Sequence, residues 1–418
     1  MTPPEHLTVQ GPEDVLGFIP HSLGYWPAES LVAMTLQGKR LGATLRLDLP
    51  GPGTLADPRE FARTVRDYLR ADQHADAALL VFFTNDGWMD LPHTCTYTGL
   101  LAALQAVLGT SGMPVRDAWY VGDRYWRDAY CSDQSCCPVP GRPIEEIRDS
   151  RLNAEMVYRG SSVGPAPDQH AQQPGSVSAE AAASLLAAEE EWSSQLDPRR
   201  GSRAQFEAVL GFWAGLLDSV PGDALPEAHL AFLRASLRAP AWRDAVLVMA
   251  AAGAATAQEG AGHFGIFDAG CLLAPVGPDP ADPSSPPGNA PLTAGTSADI
   301  STQGSRAAGP DLPGYGEVLL GVKPVLPDWG RLNSLDRILA SLPIYGGQAA
   351  AAALTGRGWI AWCRGRGSYA AAYLGQALQV EAEYRLAELM LELVRRGTLC
   401  GWAARKEAAW QRFQPDAA

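Results

Sequence analysis

Basic stretches are absent from this sequence of 418 residues. It has 33 Lys and Arg against 46 Asp and Glu, and its net charge is −13. General nucleic-acid binding depends on clustered Lys and Arg that neutralise phosphates, and anionic membrane surfaces attract the same residues. We therefore expect no nucleic-acid partner and no membrane partner.

Long apolar runs are also absent. The most apolar stretch, residues 245–255, is well short of the roughly 20 residues that span a bilayer. Residues 1–6 have neither the basic nor the apolar region of a signal peptide. Seven cysteines, an odd number in a chain of this length, do not predict a disulfide framework. We therefore expect a cytoplasmic protein with reduced thiols.

Catalytic and cofactor motifs are missing as well. Ser22 does not lie in the Gly-x-Ser-x-Gly motif of a nucleophile elbow, and no Gly-rich loop carries the Lys-Ser/Thr of a phosphate-binding loop. Ser22, His93 and Asp86 have the residue types of a Ser/His/Asp nucleophile arrangement, but no elbow motif supports it. These absences favour a non-catalytic protein, and we predict no cofactor.

An alternation of strand and helix patterns occupies the first third of the chain. Strands are predicted at residues 30–36, 41–49, 76–84, 115–121 and 124–129, and helices at 57–71 and 96–108. The order β-β-α-β-α-β-β predicts a mixed α/β sheet domain over residues 1–142. We interpret residues 19–34 as a turn-rich segment that leads into the first strand.

Helical periodicity dominates after residue 142. Helices are predicted at residues 143–158, 179–192, 202–217, 226–237, 242–253, 331–342, 347–363 and 369–396, the last with a break near Glu381. The composition predicts a linker at 160–178 and a disordered insert rich in Pro, Gly and Ser at 274–314. The predicted fold is therefore α/β plus all-α, with helical regions at 143–273 and 315–418.

Polar residues are predicted to meet at one edge of the sheet. Right-handed crossovers make strands 41–49, 76–84 and 115–121 parallel, so their carboxyl ends lie beside the start of strand 30–36. Open α/β sheets bind ligands at such edges. The residues brought together there are His21, Ser22, Glu29, Arg46, Asp48, Asn85, Asp86 and His93.

Three interpretations of this edge stay open. It binds a small polar ligand, or it is only a set of turns with a half-exposed ion pair between Arg46 and Asp48. In the third interpretation, acid–base groups at Asp48, Asp86 and His21 serve a hydrolase.

A cysteine cluster follows the last hairpin. Its spacing, Cys131-x4-Cys136-Cys137, differs from the C-x2-C knuckle that marks structural zinc. Three thiolates and one imidazole, such as that of His74, nevertheless suit zinc chemically. A redox pair of Cys131 and Cys136 is another alternative, and we favour inert reduced thiols because buried free cysteine is common.

The C-terminal helices carry two further patterns. Arg357, Arg364 and Arg366 lie near Trp359 and Trp362. We interpret the tryptophans as core and the arginines as a solvated face, and the alternative is a site for an acidic peptide or phosphate. Residues 367–378 look like the second half of a tetratricopeptide-type helix pair, or like an ordinary Ala-rich hairpin. We expect a protein partner to bind this helical part.

Several short motifs together resemble one protein family. They are Pro20, Leu23-Gly24, Pro27, Ser30-Leu-Val32, Arg46-Leu-Asp-Leu-Pro50, Tyr130-Cys131, Cys136-Cys-Pro138, Gly141, Ser150, Ala154, Val157-Tyr-Arg-Gly160, Trp359, Trp362, Gly367 and Ala377-Leu378. The family is the domain-of-unknown-function 4192 family, which is uncharacterised and found mostly in actinobacteria. The resemblance implies an intracellular bacterial protein and brings no activity, cofactor or catalytic residue.

The sequence as a whole favours a non-catalytic protein that binds a small ligand or acts as an adaptor. A hydrolase that uses the sheet edge is the first alternative. A zinc- or redox-linked protein that uses Cys131, Cys136 and Cys137 is the second.

Overall fold

The chain folds as two units, residues 1–170 and 171–418. The computed structural model describes residues 9–89, 96–167, 178–219, 225–267, 270–271, 273–278 and 312–411. Most of the predicted insert at 274–314, residues 168–177 of the predicted linker and the candidate site residue His93 lie outside the described residues.

The first unit is built on a mixed sheet with helices around it. Its strands are β1 (Ser30–Gln37), β2 (Arg40–Asp48), β3 (Ala77–Phe83), β4 (Val115–Val121), β5 (Tyr125–Asp128) and β6 (Arg142–Pro143). Its helices are α1 (Pro12–Leu23), α2 (Pro52–Ala56), α3 (Arg59–Leu69), α4 (Thr98–Thr110), α5 (Glu145–Arg148) and α6 (Arg151–Tyr158). The predicted mixed α/β class is confirmed for this unit.

The strand directions follow the predicted crossovers. The sheet order is β2-β1-β3-β4-β5-β6, and β1 is antiparallel to both β2 and β3, whereas β3 and β4 are parallel. Strands β2, β3 and β4 therefore point the same way. Ser30 lies opposite both Asp48 and Phe83, and Phe83 lies opposite Val121. The three parallel strands thus end at one edge, beside the start of β1.

Both faces of the sheet are covered, which explains why β3 is apolar along its whole length. Leu80 and Phe82 pack in one layer with residues of α3 and α4, such as Val65 and Leu104. Val81 and the other alternate β3 side chains pack in the opposite layer with α1. A strand buried on both faces reads as a continuous hydrophobic run.

The segment before β1 is helical, and the turn-rich interpretation of its first part is wrong. Helix α1 has Pro12 at its first position and acidic residues in its first turn, both of which suit a helix N-terminus. Gly24 ends it in the left-handed region (φ 92°), and its N–H donates to the carbonyl of Pro20. Pro20 and Gly24 resemble turn signals, but the burial of Leu16 and Ile19 against the sheet stabilises the helix.

Strand β2 does not alternate as regularly as the sequence suggests. Met34 pairs with Thr44 but Leu36 pairs with Leu41, so Thr35 faces two residues of β2. The N–H of Ala43 donates to the Thr35 hydroxyl at 2.7 Å and thereby closes this bulge. Leu41 consequently packs in the α1 layer, whereas the later leucines of β2 pack in the α3/α4 layer.

A single helix predicted at 143–158 is two short helices in the structure. Residues 149 and 150 separate α5 from α6, and the Ser150 hydroxyl accepts the N–H of Asn153 and so caps α6. Both helices contact α1 within the first unit.

The second unit is helical in its described residues, as predicted. Its helices are α7 (Ala179–Gln195), α8 (Arg203–Asp218), α9 (Glu227–Leu237), α10 (Pro240–Ala252), α11 (Ala254–His263), α12 (Tyr315–Leu319), α13 (Trp329–Ser341), α14 (Gly347–Cys363), α15 (Gly367–Val380) and α16 (Arg385–Arg395). The predicted break near Glu381 separates α15 from α16. Helices α14 and α15 approach closely: a Cβ added at Gly358 would lie only 2.7 Å from Leu374 Cγ. The tetratricopeptide interpretation of this pair stays a prediction.

Candidate functional site

Polar side chains surround the edge at which β2, β3 and β4 end. We call the polar group around the ends of β3 and β4 and the start of β1 the strand-end cluster. Its members are Glu29, Thr84, Asn85, Asp86, Tyr97 and Asp123. Each lies just outside a strand, except Tyr97, which immediately precedes α4.

Glu29 has an unusual backbone conformation. Its φ is 43°, and it is the one non-glycine residue with a positive φ among the described residues. Its carbonyl accepts the N–H of Leu49 at 3.0 Å, which ties it to the end of β2. Its exposed carboxylate accepts long hydrogen bonds from the Asn85 N–H at 3.4 Å and from the Thr84 hydroxyl at 3.5 Å. Such strained positions concentrate at functional sites.

Thr84 and Tyr97 form the buried floor of the cluster. The Thr84 hydroxyl accepts the N–H of Asp86 at 3.1 Å. Burial raises the pKa of Tyr97, and the carboxylates of Asp86 and Glu29 raise it further, against the opposing effect of a hydrogen bond with Thr84. The phenol therefore stays protonated and remains a hydrogen-bond donor beside two carboxylates.

Asn85 connects two strand ends. Its Nδ2 donates to Asp123 Oδ2 at 2.9 Å, and the N–H of Asp123 donates to Asn85 Oδ1 at the same distance. Asp123 lies in the turn between β4 and β5. This reciprocal pair holds the rim of the cluster in place.

Arg46 and Asp48 form the predicted ion pair, with Arg46 Nη1 2.5 Å from Asp48 Oδ1. The guanidinium also donates through Nε to the Ser30 hydroxyl at 2.8 Å. The Arg46 side chain is 19% exposed and the Asp48 side chain 82% exposed. Arg46 therefore bridges β2 to β1, and the exposed partner contributes little stability.

His21 and Ser22 are engaged elsewhere. The His21 imidazole is buried, with Nδ1 2.8 Å from Ser161 Oγ and Nε2 2.7 Å from Asn153 Oδ1. The exposed Ser22 hydroxyl donates to Thr44 Oγ1 at 3.4 Å. His21 therefore contacts α6 and the segment after it, and these contacts do not join it to the acid–base set of the hydrolase alternative.

Thr84, Tyr97 and Asp123 belong to the cluster but were not predicted as site residues. A signal existed for each of them. Thr84 and Asp123 occupy the predicted end of a strand and the predicted hairpin turn, and Tyr97 lies in the first turn of a predicted helix. Polar residues at those positions are so common that the sequence did not single them out.

The structure brings the three clustered thiols together. The Sγ atoms of Cys131, Cys136 and Cys137 all lie within 4.8 Å of one another, and Cys136 is exposed. Burial and a hydrogen bond with Cys131 raise the pKa of the Cys137 thiol to about 12. His74 is not a member of this group: its side chain is exposed, and its backbone N–H donates to Asp72.

The C-terminal arginines are less solvated than the sequence suggests. Arg357 and Arg364 form ion pairs with the two oxygens of Asp336, at 3.1 Å and 2.6 Å. Trp359 and Trp362 are buried, as the core interpretation predicts. The two arginines therefore form part of the packing of the helical unit.

Comparison with known proteins identifies the family. A family model described as "Domain of unknown function (DUF4192)" matches residues 12–260, more than half of the chain. The chain therefore belongs to this family. The match contains the strand-end cluster and the cysteine cluster, whereas the motifs noted between residues 359 and 378 lie beyond it. No curated protein and no solved structure matches the chain. No helix in the described part of the chain has the length and apolar character needed to cross a membrane.

Proposed function

We propose that this member of the DUF4192 family is a non-catalytic binding protein whose α/β unit takes a small polar ligand at the strand-end cluster. The observation that carries the proposal is the convergence of the strand ends. Three parallel strands end where β1 begins, and ligands bind to open α/β sheets at such edges. The strained backbone of Glu29 at the same edge supports the assignment.

The charges of the cluster favour a ligand with a cationic group. Glu29, Asp86 and Asp123 contribute three carboxylates, whereas the charge of Asp48 is paired with Arg46. Primary amines and guanidines donate charge-assisted hydrogen bonds to carboxylates. The buried Tyr97 phenol hydrogen-bonds with Thr84 and forms the floor beneath these carboxylates. A small amine or guanidine is therefore the ligand class that we propose.

A binding role is favoured over catalysis by the contacts of the candidate acid–base groups. A nucleophile needs a base within hydrogen-bond reach. Ser22 instead contacts Thr44, and His21 contacts Ser161 and Asn153. We also propose a cytoplasmic location, because the six cysteines among the described residues are free thiols, as is usual in a reducing compartment.

Calorimetric titration of the full chain tests this function. The probes are putrescine and agmatine, with succinate as the anionic counterpart of similar size. We expect the two cations to bind and succinate not to bind. Glu29→Gln and Asp86→Asn remove charge with little change in shape, and we expect each to weaken binding by at least about tenfold, because hydrogen bonds to charged groups are worth about 1.5–3 kcal/mol.

Glu60→Gln is the matched control, because Glu60 is an exposed carboxylate on α3 outside the cluster. We expect it to bind the cations as tightly as the unmodified chain. Equal affinity in Glu29→Gln, Asp86→Asn and the control would reject the proposed site. Failure of both cations to bind, with all variants folded by circular dichroism, would reject the proposed ligand class.

A protein partner for the helical unit remains a prediction, and the loop after α12 offers a surface for it. Leu320, Val322, Val325 and Leu326 are 50%, 48%, 69% and 62% exposed. The loop is nevertheless anchored, because the Trp402 indole N–H donates to the carbonyl of Pro324 at 2.8 Å. Contiguous exposed apolar side chains mark interaction surfaces. Replacing residues 325 and 326 by Asp should abolish binding of a purified partner without lowering the melting temperature.

A further inference from the structure

The three-thiol group after β5 has the dimensions of a metal site. Its sulfur atoms lie within 4.8 Å of one another. A tetrahedral zinc ion with zinc–sulfur bonds of about 2.3 Å would separate its sulfur ligands by about 3.8 Å. Side-chain adjustments of about 1 Å or less therefore convert the observed arrangement into a coordinating one.

Hydrogen bonds from backbone N–H groups hold Cys131 and the Cys136–Cys137 pair in place. The Asp128 carboxylate accepts the N–H groups of Tyr130 and Cys131 at 2.7 Å and 2.9 Å. The carbonyl of Asp133 accepts the N–H groups of Cys136 and Cys137 at 3.1 Å and 2.7 Å. These turns direct both ends of the loop toward one point, so the thiols are placed before any ion binds. Such preorganisation reduces the cost of binding.

Neither alternative use of the cysteines accounts for all three sulfurs. A disulfide would use two of them and leave the third unexplained within the same 4.8 Å. Inert free cysteines are usually buried, whereas Cys136 is exposed and Cys131 and Cys137 are only partly buried. A divalent cation stabilises neighbouring thiolates that would otherwise repel one another, and it does so for all three residues at once.

We infer that Cys131, Cys136 and Cys137 bind one zinc ion. Zinc fits better than calcium or magnesium, because the ligands are soft thiolates. Among the described residues no His, Asp or Glu belongs to this group, and the three sulfurs supply three of the four ligands of tetrahedral zinc. Each thiol loses its proton to solvent when it coordinates the ion. Zinc joins Cys131 to the Cys136–Cys137 pair and stabilises the connection between β5 and β6. This site is independent of the proposed amine site.

Metal binding to the reduced full-length protein tests the inference. The probes are zinc chloride, titrated against a chromogenic chelator, and cobalt chloride, followed by its absorption spectrum. We expect one ion per chain, together with the near-ultraviolet charge-transfer band of cobalt–thiolate bonds. Loss of an outer-shell partner alone costs about 10–100-fold in affinity, so Cys136→Ser should weaken zinc binding by at least about 100-fold.

Cys271→Ser is the matched control, because Cys271 is a partly exposed free thiol outside the group. It should bind zinc as the unmodified protein does. Circular dichroism of the metal-free variants separates a lost ligand from a lost fold. Zinc affinity unchanged in Cys136→Ser would overturn the inference, and so would cobalt binding without a thiolate band. A disulfide within the group that persists in the reduced preparation would overturn it as well.

Discussion

The His21 imidazole and the Ser161 hydroxyl, 140 residues apart in sequence, lie 2.8 Å from each other inside the first unit. The second ring nitrogen contacts Asn153 on α6. Near this pair, the N–H of Gly164 donates to the carbonyl of Gly24 at 2.9 Å. Residues 161–164 of the predicted linker are therefore part of the folded unit, and His21 connects them to α1.

We expect His21→Ala to lower the free energy of unfolding of the first unit by about 2 kcal/mol, because buried partners left without a hydrogen bond cost about 1–3 kcal/mol. Ser22→Ala is the control and should change it by less than about 0.5 kcal/mol, as exposed substitutions usually do. Urea unfolding measures both values. Normal stability together with lost amine binding would instead place His21 in the functional site.

The buried ion pair of Arg234 and Glu189 supports a second prediction. The Arg234 guanidinium is fully buried, lies 2.7 Å from the Glu189 carboxylate, and donates to the carbonyls of Leu342 and Gly346. Removal of one partner leaves a buried charge, so Arg234→Met should destabilise the helical unit by about 3–5 kcal/mol. Arg203→Met breaks an exposed pair with Glu207 and should cost at most about 1 kcal/mol.

The double variant Arg234→Met/Glu189→Leu separates the charge effect from packing. It should be more stable than Arg234→Met alone, because it leaves no unpaired carboxylate in the interior. Chemical unfolding of the single and double variants gives the coupling energy. A double variant that loses the sum of both single losses would show that the two groups act independently.

A substitution at Gly42 tests the bulge in β2. A Cβ there would collide with the Thr35 hydroxyl and the Asp72 carboxylate, which are themselves hydrogen-bonded at 2.5 Å. We expect Gly42→Ala to destabilise the first unit by about 1–3 kcal/mol, as overpacking does. At Gly99 in α4 an added Cβ has open space, so Gly99→Ala should raise stability by up to about 1 kcal/mol. Thermal unfolding of both variants gives the comparison, and a neutral Gly42→Ala would contradict it.

The Asp336 carboxyl contributes to the stability of the helical unit to an extent that depends on pH. Burial opposes ionisation of this carboxyl, but the guanidinium groups of Arg364 and Arg357 outweigh burial and hold the pKa of Asp336 below its usual value. A carboxyl whose pKa is lower in the folded state stabilises the fold fully above its unfolded pKa. That contribution is lost as the pH falls through the folded pKa.

Asp336→Asn should therefore be less stable than the unmodified chain at neutral pH, and the difference should shrink as the pH falls below about 4. Urea unfolding at a series of pH values measures this difference. Asp218→Asn, which loses an exposed pair with Arg331, is the control and should show a smaller difference at neutral pH. A difference that stays constant down to pH about 2 would contradict the lowered pKa.

Local patterns in the sequence determined most of the secondary structure and the strand directions. Helix α14 coincides with the predicted 347–363, because its run of alanines favours a helix through local propensity. The parallel directions of β2, β3 and β4 followed from the handedness of their connections. The proximity of Cys131 to Cys136 and Cys137 followed from a separation of only a few residues. In each case the interactions that decide the outcome lie within a short stretch or one connection.

The tertiary structure alone decided which polar groups are available. The His21 imidazole contacts Asn153 and Ser161, and Arg357 and Arg364 pair with Asp336, because other segments of the fold pack beside them. The tertiary structure also decided the face of Leu41, because a bulge turns this residue to the opposite face of the sheet. Burial and pairing depend on contacts between distant segments. A sequence pattern records the side chains but not the partners that such packing supplies.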